Sequence, residues 1–256
     1  MQHFKVGAIS WAERPQDLDQ YREILFKDLS VIAEQGGELV VLPGPSGDLF
    51  QWEMGSGSGY SRWYEEHARL AKEYGVIMVP GSINSPDGPG RETPIFDAGG
   101  NCLGIQKEIS RGAGSTIQTW SVRGKRLGLV LGKDLYYPEY GRCLAGMGVD
   151  LVLAPLLGEK PRGGWRWELT GLWREVQQNQ FWGIEAAWGL RPGTIFAPCE
   201  ATSNRTGILA RGWGAVTAAL DEEKRKEARK SFPVLDQLNP EMIRQYLRLL
   251  QEGLSC

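Results

Sequence analysis

Histidine is scarce in this 256-residue chain, and cysteine is never closely spaced. Only His3 and His67 are present, and the cysteines form neither a close pair nor a CxxC spacing. The four cysteines are Cys102, Cys143, Cys199 and Cys256. Zinc sites, disulfide frameworks and Ser-His-Asp triads need more of these residues or shorter spacings between them. We therefore predict no metal site, no disulfide framework and no bound cofactor.

An excess of charge and a long apolar run are also missing. Basic and acidic residues number 29 and 31, so the chain has no general attraction to phosphate backbones or anionic membranes. Residues 1–5 lead straight into a predicted strand, without the apolar segment of a signal peptide or membrane span. The sequence thus predicts a cytoplasmic protein with no nucleic-acid partner and no membrane partner.

The order of the apolar segments predicts an α/β fold. Residues 5–10 and 38–43 have strand character, and residues 17–35 between them carry apolar side chains at a helical period. This order forms a βαβ unit, which has parallel strands and a right-handed crossover. The glycine- and serine-rich residues 44–59 predict a loop at the carboxyl end of the second strand, where ligands bind in open α/β sheets. No stretch has the composition of a linker, so we predict one domain over residues 1–256.

A second pattern of strand, turn and helix lies at the centre of the chain. An apolar run ends at Gly132 and Lys133, and a helical pattern follows through Asp134. In hydrolases such an elbow presents a nucleophile, with backbone N–H groups directed at a developing oxyanion. The strand predicted at 149–155 then repeats the pattern of 38–43. This faint repeat predicts two similar βαβ halves that face one another across a pocket.

Three strand ends carry the most informative residues. They are Leu42-Pro43-Gly44, Gly104-Ile105-Gln106-Lys107 and Gly132-Lys133-Asp134-Leu135. Together they resemble the motifs of the nitrilase superfamily, the thiol-dependent carbon–nitrogen hydrolases, which use a Glu-Lys-Cys triad. The resemblance implies that Lys107 is the triad lysine, that Gly44 stands at the position of the Glu, and that Gly132 stands at the position of the Cys.

The resemblance also implies a fold and an activity. In the superfamily the carboxylate deprotonates the thiol, the thiolate attacks an amide or nitrile carbon, and the lysine steadies the oxyanion. Glycine offers neither a base nor a nucleophile, and loss of the nucleophile from a concerted site costs about 10⁶ in rate. We therefore expect a four-layer α-β-β-α sandwich that is catalytically inactive and that forms a homodimer or a larger assembly.

The same strand ends predict a ligand site. Its candidate residues are Gly44, Lys107, Gly132, Lys133 and Asp134. Two ammonium groups without the carboxylate would move the charge of the pocket toward positive, so a small anionic or amide-like ligand is predicted, with a protein partner as the other option.

Three of these candidates also have structural interpretations. Lys107 would pair with a carboxylate such as Asp134 or Glu108. Lys133 would be a solvated surface lysine. Asp134 would cap the elbow helix.

The alternative function is an amide or nitrile hydrolase with relocated catalytic residues. Cys143 lies roughly 16 Å along the chain from Gly132, and Cys102 lies about as far from Lys107, by the rise of a helix and of a strand. Neither thiol is expected to reach the elbow. The spacing does not place Cys199, whose structural interpretation is a small buried hydrophobe.

Two further segments are predicted as helices. Residues 165–180 carry several of the tryptophans, and residues 240–251 form the end of a tail that could wrap a neighbouring molecule. The tryptophans of the first helix and of the strand predicted after it, at 181–188, would line a ligand pocket or a subunit interface, or would belong to the core, since aromatic side chains at helical spacing are usually core residues. The tryptophans concerned are Trp165, Trp167, Trp173, Trp182 and Trp188.

Overall fold

The computed structural model describes most of the chain. The described residues are 4–44, 46–110, 114, 116–156, 171–189, 191–241, 244, 245 and 248. The helix predicted over 165–180 and the one predicted over 240–251 lie partly outside these residues. Within the described part, no helix combines the length and the apolar character that a membrane crossing requires.

The structure describes thirteen strands in two sheets. They are β1 (Phe4–Ser10), β2 (Leu39–Val41), β3 (Ile77–Val79), β4 (Ile83–Asn84), β5 (Arg91–Phe96), β6 (Cys102–Lys107), β7 (Thr119–Val122), β8 (Lys125–Leu129), β9 (Leu151–Pro155), β10 (Trp182–Ala186), β11 (Gly193–Phe196), β12 (Ile208–Gly212) and β13 (Gly214–Leu220). The first sheet has the order β13-β1-β2-β3-β5-β4, with β6 paired to β5, and the second has the order β12-β11-β10-β9-β8-β7. In each sheet three neighbouring strands are parallel, namely β1-β2-β3 and β8-β9-β10.

Helices cover the outer faces of both sheets. They are α1 (Leu18–Glu34), α2 (Ser46–Met54), α3 (Ser56–Tyr74), α4 (Pro138–Gly146) and α5 (Leu172–Asn179). A further helix, α6 (Glu222–Ser231), instead adds Ala228 to the apolar cluster between the sheets. α1 begins where sequence chemistry requires it, because the Asp17 side chain accepts a hydrogen bond from Gln20 N at 2.8 Å and caps the first turn. α3 ends at Gly75, whose φ of 63° gives the left-handed conformation of a C-terminal cap.

Three apolar clusters separate these elements into layers. The inner cluster joins side chains of both sheets, among them Val41 and Ile95 of the first sheet and Leu129 and Ile184 of the second. A second cluster packs α1, α2 and α3 against the first sheet, and a third packs α4 and α5 against the second sheet. The predicted four-layer α-β-β-α sandwich is therefore confirmed.

Three local predictions need correction or refinement. The segment 44–59 is not a loop, because α2 lies within it and buries Leu49 and Phe50. The elbow helix is divided into a 3₁₀ helix at Gly132–Tyr136 and α4, because Pro138 occupies the first position of α4. Trp182 and Trp188 are buried in the core as expected, whereas Trp165 and Trp167 lie outside the described residues.

Candidate functional site

The carboxyl ends of the parallel strands meet at one end of the sandwich. Gly44, which lies beyond β2, forms an isolated parallel bridge to Ala187, which follows β10. β8 runs parallel to β9, so Gly132 and Leu156, which lie beyond these strands, are at the same edge of the second sheet. A Cβ built on Gly44 would lie 3.4 Å from the Leu156 carbonyl oxygen. The two predicted triad positions, Gly44 and Gly132, therefore lie at the same end of the molecule.

Polar groups close the space around Gly44. A Cβ on this residue would lie 2.9 Å from Ser82 Oγ and 3.1 Å from the Pro155 carbonyl oxygen. Both distances are shorter than an ordinary van der Waals contact. The volume that a glutamate side chain would enter is thus bordered by a hydroxyl group and by backbone carbonyl groups.

A buried arginine holds Ser82 in place. Arg91 Nε donates to Ser82 Oγ at 2.9 Å, Nη2 donates to Asp48 Oδ1 at 2.5 Å, and Nη1 donates to Asn84 Oδ1 at 3.2 Å. Arg91 is 7% exposed. Because its donors are engaged on three sides, this guanidinium is a structural support for the Gly44 end of the site rather than an open anion binder.

The pleat of β5 and β6 separates Lys107 from Glu108. Lys107 lies opposite Glu92, whose carboxylate accepts a hydrogen bond from Tyr60 of α3, so both residues are on the helix-covered face of the first sheet. Lys107 Nζ lies 2.8 Å from Asp87 Oδ2 and 3.6 Å from Glu92 Oε2. The hydrogen bond to Asp87 raises the pKa of Lys107, and burial opposes that shift. Successive side chains of a strand point to opposite faces, so Glu108 points between the sheets.

The Glu108 carboxylate occupies the space beside Gly132. Glu108 is fully buried, and a Cβ on Gly132 would lie 2.9 Å from its carboxyl carbon and closer still to Oε1. The three heavy atoms nearest to that Cβ position all belong to Glu108. Lys133 N donates to Glu108 Oε1 at 3.0 Å. At Gly132, the position that the resemblance assigns to the nucleophile, the structure therefore shows an internal carboxylate, and it shows Lys107 in ion pairs elsewhere.

Asp134 makes the reciprocal contact. Its two carboxylate oxygens accept hydrogen bonds from Ile109 N at 3.0 Å and Ser110 N at 2.7 Å. It is 1% exposed. The interpretation of Asp134 as a helix cap is wrong, because its acceptors bind the segment after β6 and α4 begins without a side-chain cap. Glu108 and Asp134 thus tie the end of β6 and the elbow to each other, and we call these two residues the carboxylate clamp.

Lys133 contributes its backbone and not its side chain to this arrangement. The side chain is exposed, as the interpretation of a solvated lysine expects, while its N–H donates to Glu108. The premise that the ammonium groups of Lys107 and Lys133 converge on a cavity is therefore not met. The predicted site of two ammonium groups is therefore not present, and the Lys133 backbone N–H is the group that donates a hydrogen bond to an anion.

The free cysteines lie away from Gly132 or on the outside of the elbow. β11 runs antiparallel to β10, so Cys199, which follows β11, is at the opposite end of the second sheet. Burial raises the pKa of Cys199, and Glu200 adds to the shift. Cys102 begins β6, whose far end meets the elbow. Cys143 of α4 is exposed.

Cys143 also lines a groove of about 600 Å³ beside the elbow. The described residues that line it are Ile109, Ser110, Ile117, Asp134, Tyr137, Glu139, Tyr140 and Cys143. Apolar side chains form most of its surface. Within the described ranges, no group of three or more His, Cys, Asp and Glu residues could hold a metal ion.

Sequence reasoning missed Glu108 and Ser82 as members of the site. The signal for Glu108 was present in the alternation of β6, since Gln106 and Glu108 share one face and Lys107 takes the other. The family motif places a lysine at the end of this strand, so Lys107 was predicted for the site and the neighbouring Glu108 was not. Ser82 follows no motif, and only the approach of β3 to β2 brings it to Gly44.

Several solved structures of one amidase are similar to this chain over nearly its whole length. The NitN amidase from Nesterenkonia sp. AN1 is 18% identical, covers 95% of this chain and all of its own, and superposes with a TM-score of 0.74. A variant of that amidase, with the acetamide moiety of fluoroacetamide added to its active-site cysteine, gives 18% identity, 95% and 97% coverage and a TM-score of 0.76. A cysteine-to-serine variant, described as an amidase from the nitrilase superfamily, is 18% identical, covers 90% of this chain and 96% of its own, and superposes with a TM-score of 0.68.

The similarity to known proteins is found in structure and not in sequence. Neither a protein-family model nor a curated protein sequence matches this chain. At 18% identity over nearly the whole of both chains, the likeness concerns the arrangement of the backbone. The chain therefore has the fold of the nitrilase-superfamily amidases. It has glycine at positions 44 and 132, to which the resemblance assigns the Glu and the Cys of the triad.

Proposed function

We propose that this chain is a non-catalytic protein that uses the carbon–nitrogen hydrolase fold to bind a small ligand or a protein partner. The observation that supports this proposal most strongly is the Glu108 carboxylate beside Gly132. It fills the place from which a nucleophile would attack, and it takes the N–H of Lys133 that an oxyanion would need.

The two glycines offer no side chain that could carry acyl transfer. Gly132 supplies no nucleophile, Gly44 supplies no base, and the carboxylate of Glu108 would repel the negative charge that develops on a tetrahedral intermediate. Loss of the nucleophile alone costs about 10⁶ in rate, and further losses from the same concerted unit add little. The proposed protein therefore binds and does not turn over.

The groups around Gly44 favour an amide-like ligand over a simple anion at that position. Two backbone carbonyl groups, of Pro155 and Leu156, face it beside the Ser82 hydroxyl. Carbonyl oxygens accept hydrogen bonds and attract N–H donors, whereas they repel anions. The anionic ligand predicted from the sequence would have to use other groups, and the elbow is where such groups exist.

The homodimer also remains part of this proposal. Tyr136, Tyr137 and Met147 expose 45%, 52% and 37% of their surface on the elbow and on the end of α4. Aromatic residues and methionine are enriched at the centres of protein interfaces. Light scattering on the purified chain tests it, with Tyr137→Asp expected to shift the assembly toward monomer, and a monomeric wild type would remove the homodimer from the proposal.

A working amide or nitrile hydrolase with relocated residues is the second candidate. The observation in its favour is that Cys143 lines the groove that Asp134 also lines. Cys199 is a weaker candidate because it lies at the far end of the sheet. Cys102 is exposed and distant from the elbow, so it serves as a matched control thiol.

Ammonia release across amides, nitriles and carbamoyl compounds separates the two candidates. The non-catalytic proposal expects wild type, Cys143→Ala and Cys102→Ala all to remain at the background rate. Release by wild type that is lost in Cys143→Ala and kept in Cys102→Ala would establish the relocated hydrolase instead.

A further inference from the structure

We propose that the elbow is a carboxylate-binding cradle and that Glu108 of the same chain is its resident ligand. The cradle consists of the Lys133 N–H and the open Cα face of Gly132, and the carboxylate of Glu108 lies against both. This inference rests on the proposed non-catalytic function, because a hydrolase would need the same N–H for its oxyanion. It also explains why an external anion has no access to this donor in the resting protein.

Glycine at position 132 is what lets a carboxylate lie this close. Its φ of 51° is in the left-handed region, and any Cβ there would collide with the carboxylate. At this position the elbow therefore has no side chain, and the space that a side chain would occupy holds the Glu108 carboxylate. The residue that enters the space comes from the end of β6 in the other sheet.

Two backbone anchors fix the direction of Glu108. Its N–H donates to the Arg91 carbonyl at 2.7 Å, and its carbonyl accepts from Gly114 N at 3.0 Å. Asp134 holds the next two N–H groups of the same segment. The side chain is thus delivered to the elbow by a segment whose own backbone is held on three sides, which makes the cradle and its occupant a pre-organised pair.

The chemistry of the cradle selects an anion over a cation or a neutral amide. The Lys133 N–H is a donor to the occupant, and a hydrogen bond to a charged acceptor is about twice as strong as one to a neutral acceptor. An ammonium ion has no acceptor to offer a backbone N–H. Small carboxylates are consequently the class of external ligand that the emptied cradle should take.

Removal of the occupant tests the proposal with a ligand of matched size. Glu108→Ala deletes a methylene and a carboxylate, which together have the size of acetate. In calorimetry we expect this variant to bind acetate with a millimolar dissociation constant, to bind the isosteric acetamide at least about tenfold more weakly, and not to bind methylammonium. Wild type and Glu108→Gln, whose cradles stay filled, are expected to show no acetate binding.

The outcomes decide the proposal in either direction. Titrations use sodium acetate against sodium chloride at equal ionic strength, so that a general salt effect cancels. A folded Glu108→Ala that ignores acetate, or a wild type that binds it equally well, would overturn the cradle. Ammonia release by wild type would instead overturn the proposed non-catalytic function. Acetate binding by Glu108→Ala would still test, as a separate measurement, whether the elbow binds a carboxylate.

A second measurement applies if Glu108→Ala does not fold. Glu108→Gln keeps the shape of the side chain and replaces a charged acceptor by a neutral one. The Lys133 amide proton should then move upfield in nitrogen-edited NMR spectra relative to wild type, because its hydrogen bond weakens. An unchanged Lys133 resonance would show that its N–H does not bind the carboxylate, and the cradle would be rejected.

Discussion

Two buried polar clusters of the protein satisfy their hydrogen bonds with different charge states, one with charged carboxylates and the other with neutral side chains. At the elbow, the carboxylate clamp of Glu108 and Asp134 bonds to backbone N–H groups. Between α1 and α3, the His67 network, formed by Tyr21, His67 and Trp63, is neutral: Tyr21 O–H lies 2.7 Å from His67 Nε2, and His67 Nδ1 lies 2.7 Å from the Trp63 carbonyl oxygen. Since a carbonyl only accepts, Nδ1 carries the proton and Nε2 accepts from Tyr21.

The difference shows which buried ionisable side chains backbone groups can hold in the charged form and which they hold in the neutral form. A carboxylate is an acceptor only, and the backbone of a turn offers several donors to it. An imidazolium is a donor at both nitrogens, and Tyr21 and Trp63 cannot both accept from it without rearrangement. The clamp therefore suits charged groups, and the His67 network suits a neutral one.

The largest effect is expected from breaking the clamp at Asp134. Asp134→Ala removes the acceptor of two backbone N–H groups, and hydrogen bonds to charged groups contribute about 1.5–3 kcal/mol each. We expect the free energy of unfolding to fall by about 4 kcal/mol in urea titrations. Asp134→Asn retains one acceptor oxygen and should lose about half as much. Equal stability of Asp134→Ala and wild type would show that the clamp is not structural.

Acid is expected to break the neutral network next. Burial lowers the pKa of His67 from the usual 6.5 to about 4. Between these two values the unfolded chain binds a proton that the folded chain does not, so stability is full above pH 6.5 and is lost as the pH falls toward 4. The shift corresponds to about 3 kcal/mol. Urea titrations at pH 7, 5.5 and 4 measure it.

A histidine-free control isolates this pH dependence from that of the carboxylates. His67→Gln keeps a donor and an acceptor and does not titrate in this range. Its loss of stability between pH 7 and pH 4 should be smaller than that of wild type by the His67 contribution. If both proteins lose the same amount, His67 takes up its proton without cost and the network is not obligatorily neutral.

The two glycines allow a finer comparison within the elbow end. Gly132→Ala places a Cβ on a residue in the left-handed conformation, which costs about 1–2 kcal/mol. The same Cβ also collides with the Glu108 carboxylate. Gly44→Ala meets Ser82 and a carbonyl at about 3 Å without the backbone penalty. We expect Gly132→Ala to be the more destabilising, by about 1 kcal/mol. In a Glu108→Ala background the cost of Gly132→Ala should shrink while that of Gly44→Ala stays constant. Equal costs in both backgrounds would contradict the contact between Glu108 and Gly132.

The smallest effect is expected at Lys107. Its side chain is 31% exposed and its closer partner Asp87 is 73% exposed, and ion pairs of this kind contribute less than about 1 kcal/mol. Lys107→Met should therefore change the free energy of unfolding by about 0.5 kcal/mol and leave acetate binding by Glu108→Ala unchanged. A change in that binding would return Lys107 to the elbow.

The sequence supports a good prediction of the architecture. The alternation of apolar strands and amphipathic helices placed β1, α1 and β2 close to their observed bounds, because burial of long apolar segments depends on pattern. It did not find α2. The glycines and serines of residues 44–59 have low helix propensity, and the helix forms there because Leu49 and Phe50 bury against α1 and α3.

The site was predictable in location and not in detail. The ends of β2 and β8 could be named from the motifs, since parallel strands end at the same edge. The occupant of the elbow could not, because it depends on whether Lys107 or Glu108 faces inward, and a shift of one residue reverses every side chain of a strand. A sequence motif does not fix that register, whereas the pairing of Lys107 with Glu92 does.

Intact-mass spectrometry after incubation with fluoroacetamide tests most directly whether any thiol of this chain transfers acyl groups. In a variant of the structurally similar amidase, the acetamide moiety of this reagent adds to the active-site cysteine. We predict that the mass of the wild-type chain stays unchanged under conditions that modify this amidase variant in a parallel reaction, because Gly132 has no thiol and the elbow is filled by Glu108. A one-to-one adduct on Cys143 or Cys199 that an amide substrate prevents would contradict it.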